Sequence, residues 1–365
     1  RFSGVGLGLW GAVGLLVLVV AFGINPTSPP IDVMLIILAV IMAASVMDAA
    51  GGIDFLVRIA ERIIRANPKY VTIVAPLTTW TFTFVAGTGH IVYPLLPVIY
   101  ETAHQSGVRP ERPMAVATIA SQQAITASPV SAATAAMIGL FADEKMTGWS
   151  LPQVLMICVP ATLTGVIVAA IVSMFVGKDL KDDAEYQSRL AAGNVPEPKP
   201  LEARPPLKPA ARLSAIVFLL GVALVVLFGF FPALRTLPGA KSALAMPIVI
   251  EIVMMSVAAI MLLLTKVNVD EIPKTATLRA GVVAVIGIFG LAWLGDSFIA
   301  ANKDVIVPAI GNWAKAAPWT FAFGLFLASV LLYSQAATTR ALMPLGVALG
   351  IPPQFLIAMF PSVNG

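Results

Sequence analysis

Long apolar stretches alternate with short polar ones along most of the chain. A membrane-spanning helix needs about 20 consecutive apolar residues; several stretches reach that length, and others are too short to span alone. The stretches are continuous rather than alternating with a period of two, which excludes an outer-membrane barrel. The pattern predicts an all-α polytopic membrane protein. The apolar runs cover residues 4–23, 31–50, 70–86, 91–100, 114–127, 131–142, 151–176, 213–231, 244–265, 280–299, 318–333, 340–350 and 354–361.

The short apolar runs occur in pairs around polar residues, which is typical of re-entrant hairpins and broken helices in transporters. Residues 70–105 and 318–350 each predict a re-entrant hairpin, with tips at residues 87–90 and 334–339. Polar residues at 128–131 and at 361–364 interrupt two further helices. Because this order recurs with opposite orientation, the sequence predicts an inverted structural repeat with two re-entrant hairpins and two broken helices.

Amphipathic segments precede both hairpins. In residues 53–66 apolar and charged side chains fall on opposite faces of a helix, as in a helix lying in the membrane interface, and residues 302–316 repeat the pattern more weakly. Each segment follows a helix that is predicted to end in an aspartate, and each precedes a proline that restarts the chain. The paired positions are Asp48 and Asp296, and Pro68 and Pro318.

The distribution of charged residues along the chain predicts where the units of the protein begin and end. Only 12% of the residues are charged, against about 25% in soluble domains. The proline-rich, mixed-charge stretch 177–212 predicts a soluble linker, and its mixed charge argues against nucleic-acid binding. If the linker lies in the cytoplasm, most of the basic residues of the chain fall on the cytoplasmic side of the membrane. The predicted units are scaffold helices and arm 1–69, first hairpin and broken helix 70–142, spanning helix 143–176, linker 177–212, second scaffold helices and arm 213–317, and second hairpin with the start of the second broken helix 318–365.

The interruptions offer anion-binding chemistry. Helices that begin there carry unpaired N–H groups and a partial positive charge, which favour anions, and the neighbouring polar side chains can donate hydrogen bonds to carboxylates. The alternative is that these serines and threonines only mediate helix packing. The candidate substrate-binding residues are Thr88, Gly89, His90, Thr126, Ser128, Pro129, Ser131, Ser334, Gln335, Thr338, Thr339, Arg340, Ser362 and Asn364.

Ionisable residues within the apolar segments need partners. Arg340 adjoins the second tip, where its guanidinium either grips a substrate carboxylate or pairs with an acid such as Glu251. His90 is either a hydrogen-bond donor or proton-linked switch, or a structural histidine. Glu251 is either a proton carrier or a structural partner, and Asp48 and Asp296 are explained by solvation at helix ends.

Enzyme and metal motifs are absent from the sequence. It contains no P-loop, no His-Glu-x-x-His, no Gly-x-Ser-x-Gly and no dinucleotide-binding glycine motif. The sequence contains only two histidines and one cysteine, which are too few ligands for a histidine or thiolate metal centre. We therefore expect a non-enzymatic protein without cofactor or metal.

Five blocks of residues resemble the anaerobic C4-dicarboxylate transporters of the DcuA/DcuB family. They are Ala-Gly-Thr-Gly-His at 86–90, Ile-Ala-Ser-Gln-Gln-Ala-Ile-Thr-Ala-Ser-Pro-Val-Ser-Ala-Ala-Thr at 119–134, Gly-Lys-Asp-Leu-Lys-Asp-Asp at 177–183, Tyr-Ser-Gln-Ala-Ala-Thr-Thr-Arg at 333–340 and Phe-Pro-Ser-Val-Asn-Gly at 360–365. The resemblance covers essentially the whole chain, and we expect the N-terminal start and the last part of the family's second half to be missing.

The resemblance implies a carrier of the bacterial inner membrane for fumarate, succinate, malate and aspartate, typically exchanging fumarate for succinate. It also implies kinship with the ion transporter superfamily, a homodimer, and in some relatives a role as co-sensor with a membrane histidine kinase. The prediction is an alternating-access exchanger whose partners are a small dicarboxylate and the lipid bilayer. The alternatives are a sodium- or proton-coupled carrier, a dicarboxylate co-sensor and, more remotely, an intramembrane hydrolase.

Overall fold

A computed structural model describes residues 5–144, 146, 148–195, 205–240, 242–317, 319–332 and 334–364, and of residues 303 and 306–316 it describes the backbone only. Within these residues the regular structure is entirely helical. Seven helical segments, two of which join consecutive helices, are long and apolar enough to cross a membrane. The prediction of an all-α polytopic membrane protein is therefore confirmed.

Sixteen α-helices occur in the described residues. In the first half they are α1 (Val5–Phe22), α2 (Ile31–Ala49), α3 (Gly52–Ala66), α4 (Val71–Ala86), α5 (Leu96–Gln105), α6 (Glu111–Ala127), α7 (Ala132–Asp143) and α8 (Leu151–Met174). After α9 (Ala184–Ala191), the second half contains α10 (Ala211–Phe230), α11 (Met246–Thr265), α12 (Ala276–Gly287), α13 (Trp293–Ala316), α14 (Thr320–Leu332), α15 (Gln335–Ala348) and α16 (Pro353–Met359).

The helices break at the polar positions that the sequence singled out. Between α4 and α5 the chain turns at Gly87 and continues as a 3₁₀-helix, Gly89–Leu95, and α14 and α15 meet at Ser334. The helix over 111–143 is interrupted between α6 and α7, and α16 passes into a 3₁₀-helix, Phe360–Val363. The inverted relation between the two halves remains a prediction.

Helix α2 lies at the centre of the apolar core and packs against α7, α11 and α12. Its Ile36, Ile37 and Met47 are fully buried, because the helix is apolar on every side and neighbours surround it. By contrast, α1 presents large apolar side chains at the surface, among them Leu16 and Val20. A helix with that exposure is suited to contact lipid.

The amphipathic segment 53–66 forms α3 as predicted. Its Leu56, Ala60 and Ile64 are buried where the helix packs against α4 and α10, so this face contacts protein. Ile63, which the periodicity also placed on the apolar face, is 39% exposed. On the polar side Arg65 forms ion pairs with two glutamates, Glu61 at 3.1 Å and Glu101 at 2.7 Å.

The second amphipathic segment is not a separate arm. A π-helical turn, Ile288–Ala292, joins α12 to α13, which runs from Trp293 through Ala316. The expectation that a helix ends at Asp296 is therefore wrong. No proline or glycine follows Asp296 directly, and Arg340 neutralises its charge, so nothing stops the helix there. Pro318 lies outside the described residues.

The linker 177–212 docks in part on the loop between α5 and α6. Arg112 pairs with Asp179 at 2.7 Å, and Arg109 pairs with Asp183 at 3.0 Å. The hydroxyl of Tyr186 in α9 lies 2.9 Å from Nε2 of His104. The first part of the linker is thus a cap on α5 and α6. Residues 196–204 lie outside the described residues.

Candidate functional site

The tip of the first hairpin rests directly on the break between α6 and α7. Gly87 has a φ of +71°, and a Cβ atom built there would lie 2.5 Å from the carbonyl oxygen of Val130. A left-handed φ and so close a contact both require glycine. The hydroxyl of Ser121 on α6 is 3.3 Å from the carbonyl oxygen of Gly89 and 2.8 Å from the hydroxyl of Thr83 on α4. These contacts fix the tip against α6.

The break itself is held by its own hydroxyls. Ser131 caps α7 by accepting a hydrogen bond from the backbone N–H of Thr134 at 3.1 Å, and it donates to the carbonyl oxygen of Ile125 at 2.6 Å. Ser128 accepts from the backbone N–H of Val130 at 3.3 Å. Such caps satisfy helix ends that would otherwise carry free polar groups. Ser128, Pro129 and Ser131 are buried.

The tip of the second hairpin reaches the same helix. Ser334 caps α15 by accepting a hydrogen bond from the N–H three residues later, and the side-chain amide of Gln335 donates to the side-chain oxygen of Gln122 on α6 at 2.9 Å. Thr338 and Thr339 are buried and donate to carbonyl oxygens of their own helix. Their hydroxyl hydrogens are therefore occupied, and their lone pairs can only accept.

The second broken helix also ends on α6. The amide of Asn364 donates to the hydroxyl of Thr126 at 3.2 Å and to the carbonyl oxygen of Pro361 at 3.1 Å. Its side-chain oxygen is buried without a hydrogen-bond partner. Ser362, two residues before Asn364, is half-buried. Tyr333 and Gly365, which belong to two of the blocks that resemble the family, lie outside the described residues.

All four interruptions therefore meet at the C-terminal part of α6. We call this meeting point the polar junction; it comprises Gly87, Thr88, Gly89, Ser121, Gln122, Thr126, Ser128, Pro129, Val130, Ser131, Ser334, Gln335 and Asn364. Polar groups at membrane depth are costly unless they are paired or line a cavity. The structure thus brings together candidates from both halves of the chain.

Four residues of the polar junction, Gly87, Ser121, Gln122 and Val130, were not among the candidate substrate-binding residues. Ser121 and Gln122 bridge α6 to the two hairpin tips, and both lie in the polar block 119–134. The signal was a pair of polar residues inside an otherwise apolar helix one to two turns before its break. Ser121 was recognisable as a hydroxyl near the break, but the sequence alone gave no reason to prefer Gln122 over Gln123, whose side chain is likewise half-buried.

His90 lies at the edge of this arrangement. Its backbone N–H donates to the hydroxyl of Thr88 at 3.3 Å, and its ring lies beside that of Tyr93, with 6.0 Å between centroids. The residue is exposed, so burial does not force a fixed partner on its ring. A role in substrate binding or proton transfer stays a prediction.

Arg340 is buried in an ion-pair cluster. Its side chain is 7% exposed, and its Nη2 atom lies 2.8 Å from Oδ2 of Asp143 at the end of α7 and 3.2 Å from Oδ2 of Asp296 on α13. The sequence suggested Glu251 as the structural partner, but the acids that contact Arg340 are these two. Nε of Arg340 has no hydrogen-bond partner, so the guanidinium retains a donor for another carboxylate.

A cavity of about 610 Å³ adjoins this cluster. Its size falls within the range of small-molecule sites. The charged residues that line it are Asp32, Asp143, Glu144, Asp296 and Arg340. Carboxylates therefore outnumber the single guanidinium, and Arg340 is the cavity's one positive charge within the described residues.

The sequence suggested that interfacial water solvates Asp48, but the structure gives its carboxylate a specific hydrogen-bond partner. Oδ2 of Asp48 accepts a hydrogen bond from the hydroxyl of Thr277 on α12 at 2.9 Å. The contact ties the end of α2 to the start of α12. We assign it a structural role in joining the two halves of the core.

A bundle of apolar helices whose interruptions meet at a buried polar junction is the architecture of a secondary transporter. The whole chain, residues 1–365, matches the family described as anaerobic C4-dicarboxylate membrane transporter. The chain belongs to this family. It is a family of membrane transporters rather than enzymes.

Curated relatives agree along the full length of the chain. The chain is 38% identical over 376 residues to the anaerobic C4-dicarboxylate transporter DcuB of Escherichia coli O6:H1. It is 41% identical over 368 residues to the C4-dicarboxylate transporter DcuA of Escherichia coli K12, and 38% identical over 370 residues to DcuA of Wolinella succinogenes. Each alignment covers 100% of this chain and 83% of the relative.

Proposed function

We propose that this transporter exchanges C4-dicarboxylates across the bacterial inner membrane by alternating access, with fumarate and succinate as the principal pair and malate and aspartate as further substrates. The observation that carries the proposal is the convergence of all four helix interruptions on α6. The names of the relatives, which are C4-dicarboxylate transporters, support the choice of substrate class.

Two sets of donors would hold the two carboxylates. One is the polar junction, which brings the side-chain amides of Gln122, Gln335 and Asn364 to α6 and contains the N-termini of α7 and α15. The other is Arg340, through its unpartnered Nε. From Gln335 to Arg340 the rise along α15 is about 7.5 Å, a span that an extended four-carbon diacid can bridge together with its hydrogen bonds. This arrangement favours a diacid over a monoacid.

Binding to the purified full-length protein tests this arrangement. Isothermal titration should show that succinate binds at least tenfold more tightly than propionate, since propionate lacks the second carboxylate. Gln122→Ala should weaken succinate binding, whereas Gln123→Ala, one residue away on the same helix, should not. Equal affinities for succinate and propionate would contradict a site with two carboxylate subsites.

A cation-coupled carrier is the second candidate. The observation that favours it is the excess of carboxylates around the cavity beside Arg340, because such a region attracts protons and cations. Dicarboxylate uptake driven by a sodium or pH gradient, with no substrate on the opposite side of the membrane, would favour this candidate over exchange.

The resemblance further suggests assembly and signalling partners, which we include in the proposal. A homodimer would give twice the protomer mass in light scattering of the detergent-solubilised protein. A co-sensor role would be supported by dicarboxylate-dependent kinase signalling that persists in a variant that binds dicarboxylate but no longer transports it. Loss of both activities together would leave transport as the function.

A further inference from the structure

Arg340 connects three helices that have different positions relative to the polar junction. It lies on α15, and it pairs with Asp143 on α7 and with Asp296 on α13. Helices α7 and α15 both begin at the polar junction, whereas α13 continues from the π-helical turn after α12. The pair between Arg340 and Asp296 therefore ties a helix of the proposed substrate site to a helix outside it.

The donor hydrogens of Arg340 are unequally used. A guanidinium has one hydrogen on Nε and two on each Nη atom. Both aspartates lie against the same atom, Nη2, at 2.8 Å and 3.2 Å, so two carboxylates already crowd that nitrogen. Nε is buried without a partner, and so is Oδ1 of Asp296. The cluster is thus incompletely satisfied on the edge of the guanidinium that comprises Nε and Nη2.

A carboxylate binds an arginine most strongly through two parallel hydrogen bonds. On the edge formed by Nε and Nη2, such binding needs a hydrogen of Nη2, and the two aspartate oxygens already occupy the space beside that atom. An incoming substrate carboxylate must therefore displace one aspartate. Asp296 makes the longer contact, 3.2 Å against 2.8 Å for Asp143, so it is the weaker competitor.

We propose that a substrate carboxylate displaces Asp296 from Arg340 and thereby disconnects α15 from α13. Asp296 is then a positioning residue that makes movement of the second hairpin depend on bound substrate. This inference rests on the proposed exchange function, because an obligatory exchanger must not move its site while no substrate is bound. The other charged residues around the cavity, Asp32 and Glu144, disfavour a lone carboxylate there, so Arg340 remains the point of attachment.

Asp296→Asn tests the inference in proteoliposomes of the full-length protein. The variant keeps the shape of the side chain and removes the charge that competes for Arg340. Succinate efflux into substrate-free medium should become a substantial fraction of the exchange rate, whereas the wild-type protein should release little without external substrate. The Kd for succinate should fall by about fivefold or more, the lower end of typical coupling between sites. Asp304→Asn, the same change at an exposed position on α13, should match the wild type.

The outcomes separate this inference from the proposed function. If the wild-type protein exchanges succinate and Asp296→Asn remains just as dependent on external substrate, the inference is overturned while the exchange function stands. If the wild-type protein does not exchange dicarboxylates at all, the proposed function fails first. Unchanged succinate affinity in a folded Asp296→Asn variant would also contradict competition for Arg340.

A crosslink provides a second test that does not depend on the stability of Asp296→Asn. A Cβ atom at Gly295 would lie 3.9 Å from Cα of Ala341 on α15, so Gly295→Cys and Ala341→Cys are close enough to be linked by a short bifunctional thiol reagent that can be cleaved by reduction, once Cys158 is replaced. Crosslinking should stop transport, and reduction should restore it. Full transport by the crosslinked protein would show that α13 and α15 need not separate.

Discussion

The side-chain amide of Gln335 donates a hydrogen bond of 2.9 Å to the side-chain oxygen of Gln122, a residue 213 positions earlier in the chain. The bond joins the tip of the second hairpin to the helix that also holds the first hairpin and both broken helices. Polar contacts between helices within a membrane stabilise by about 0.6–2 kcal/mol. This bond is strong enough to order the tip and weak enough to break when a substrate carboxylate competes for the amide.

Replacing the two glutamines should test their role in substrate binding and their role in stabilising the hairpin tip. Gln335→Ala and Gln122→Ala should each reduce succinate uptake by at least tenfold, because each removes an amide from the proposed site. In a double-mutant cycle on the free energy of unfolding, the two changes should be non-additive by about 1 kcal/mol. Additive effects would show that the bond contributes nothing to stability. Gln123→Ala is the control on the same helix.

Gly87 should tolerate no side chain. Gly87→Ala imposes a left-handed conformation on alanine, at a cost of about 1–2 kcal/mol, and also drives the new Cβ into the carbonyl of Val130. Gly107→Ala is the matched control, since its φ is +73° and nothing lies within 4 Å of a Cβ there. Both changes should lower the melting temperature of the protein in detergent, and Gly87→Ala should lower it more. Gly87→Ala should also abolish transport. Equal effects would mean that the tip does not rest on Val130.

The structural and substrate-binding roles of Arg340 can be separated by charge compensation. Arg340→Ala should destabilise the protein by about 3 kcal/mol, because it leaves Asp143 and Asp296 without their counter-charge. Asp143→Asn and Asp296→Asn, added together to Arg340→Ala, should restore the melting temperature. The compensated protein should still fail to bind succinate. Wild-type succinate affinity in that triple variant would reduce Arg340 to a structural residue.

The docked part of the linker should be insensitive to pH near neutrality. A hydrogen bond from the backbone N–H of Tyr186, and then the charge of Arg109, lower the pKa of Asp183. A lowered pKa in the folded state gives a contribution that is complete above the unfolded value, about 3.9, and is lost as the pH falls through the folded pKa. Hydrogen exchange of residues 184–191 should therefore stay protected between pH 8 and pH 5, after the usual correction for intrinsic rates. Loss of protection between pH 7 and pH 6 would contradict the assignment of this contact to Asp183.

The apolar pattern predicted the helices because membrane helices must be apolar over a fixed length. The break at Ser128 and Pro129 and the turn at Gly87 were readable from their residue types, since proline and glycine stop a helix locally. The extent of α13 could not be predicted from the sequence. Asp296 can lie inside a helix because Arg340, which is distant in sequence, neutralises its charge.

The site was predicted in its elements but not in its contacts. Ser131 and Ser334 are caps, a role that residue type and local sequence make visible. The pairing of Gln122 with Gln335, and of Asp143 with Arg340, joins residues from different halves of the chain. Such pairs depend on how the helices cross, and hydropathy carries no information about crossing. A single sequence therefore located the polar tips and left their partners open.

Counterflow in proteoliposomes tests the central claim most directly. Vesicles that contain the full-length protein are loaded with succinate, and labelled fumarate is added outside at several sodium concentrations and membrane potentials. An exchanger should take up fumarate only when succinate is present inside, and the uptake should not require sodium or a membrane potential. Fumarate uptake into vesicles without internal substrate, driven by sodium or by the potential, would contradict exchange, and fumarate binding without any uptake would contradict transport itself.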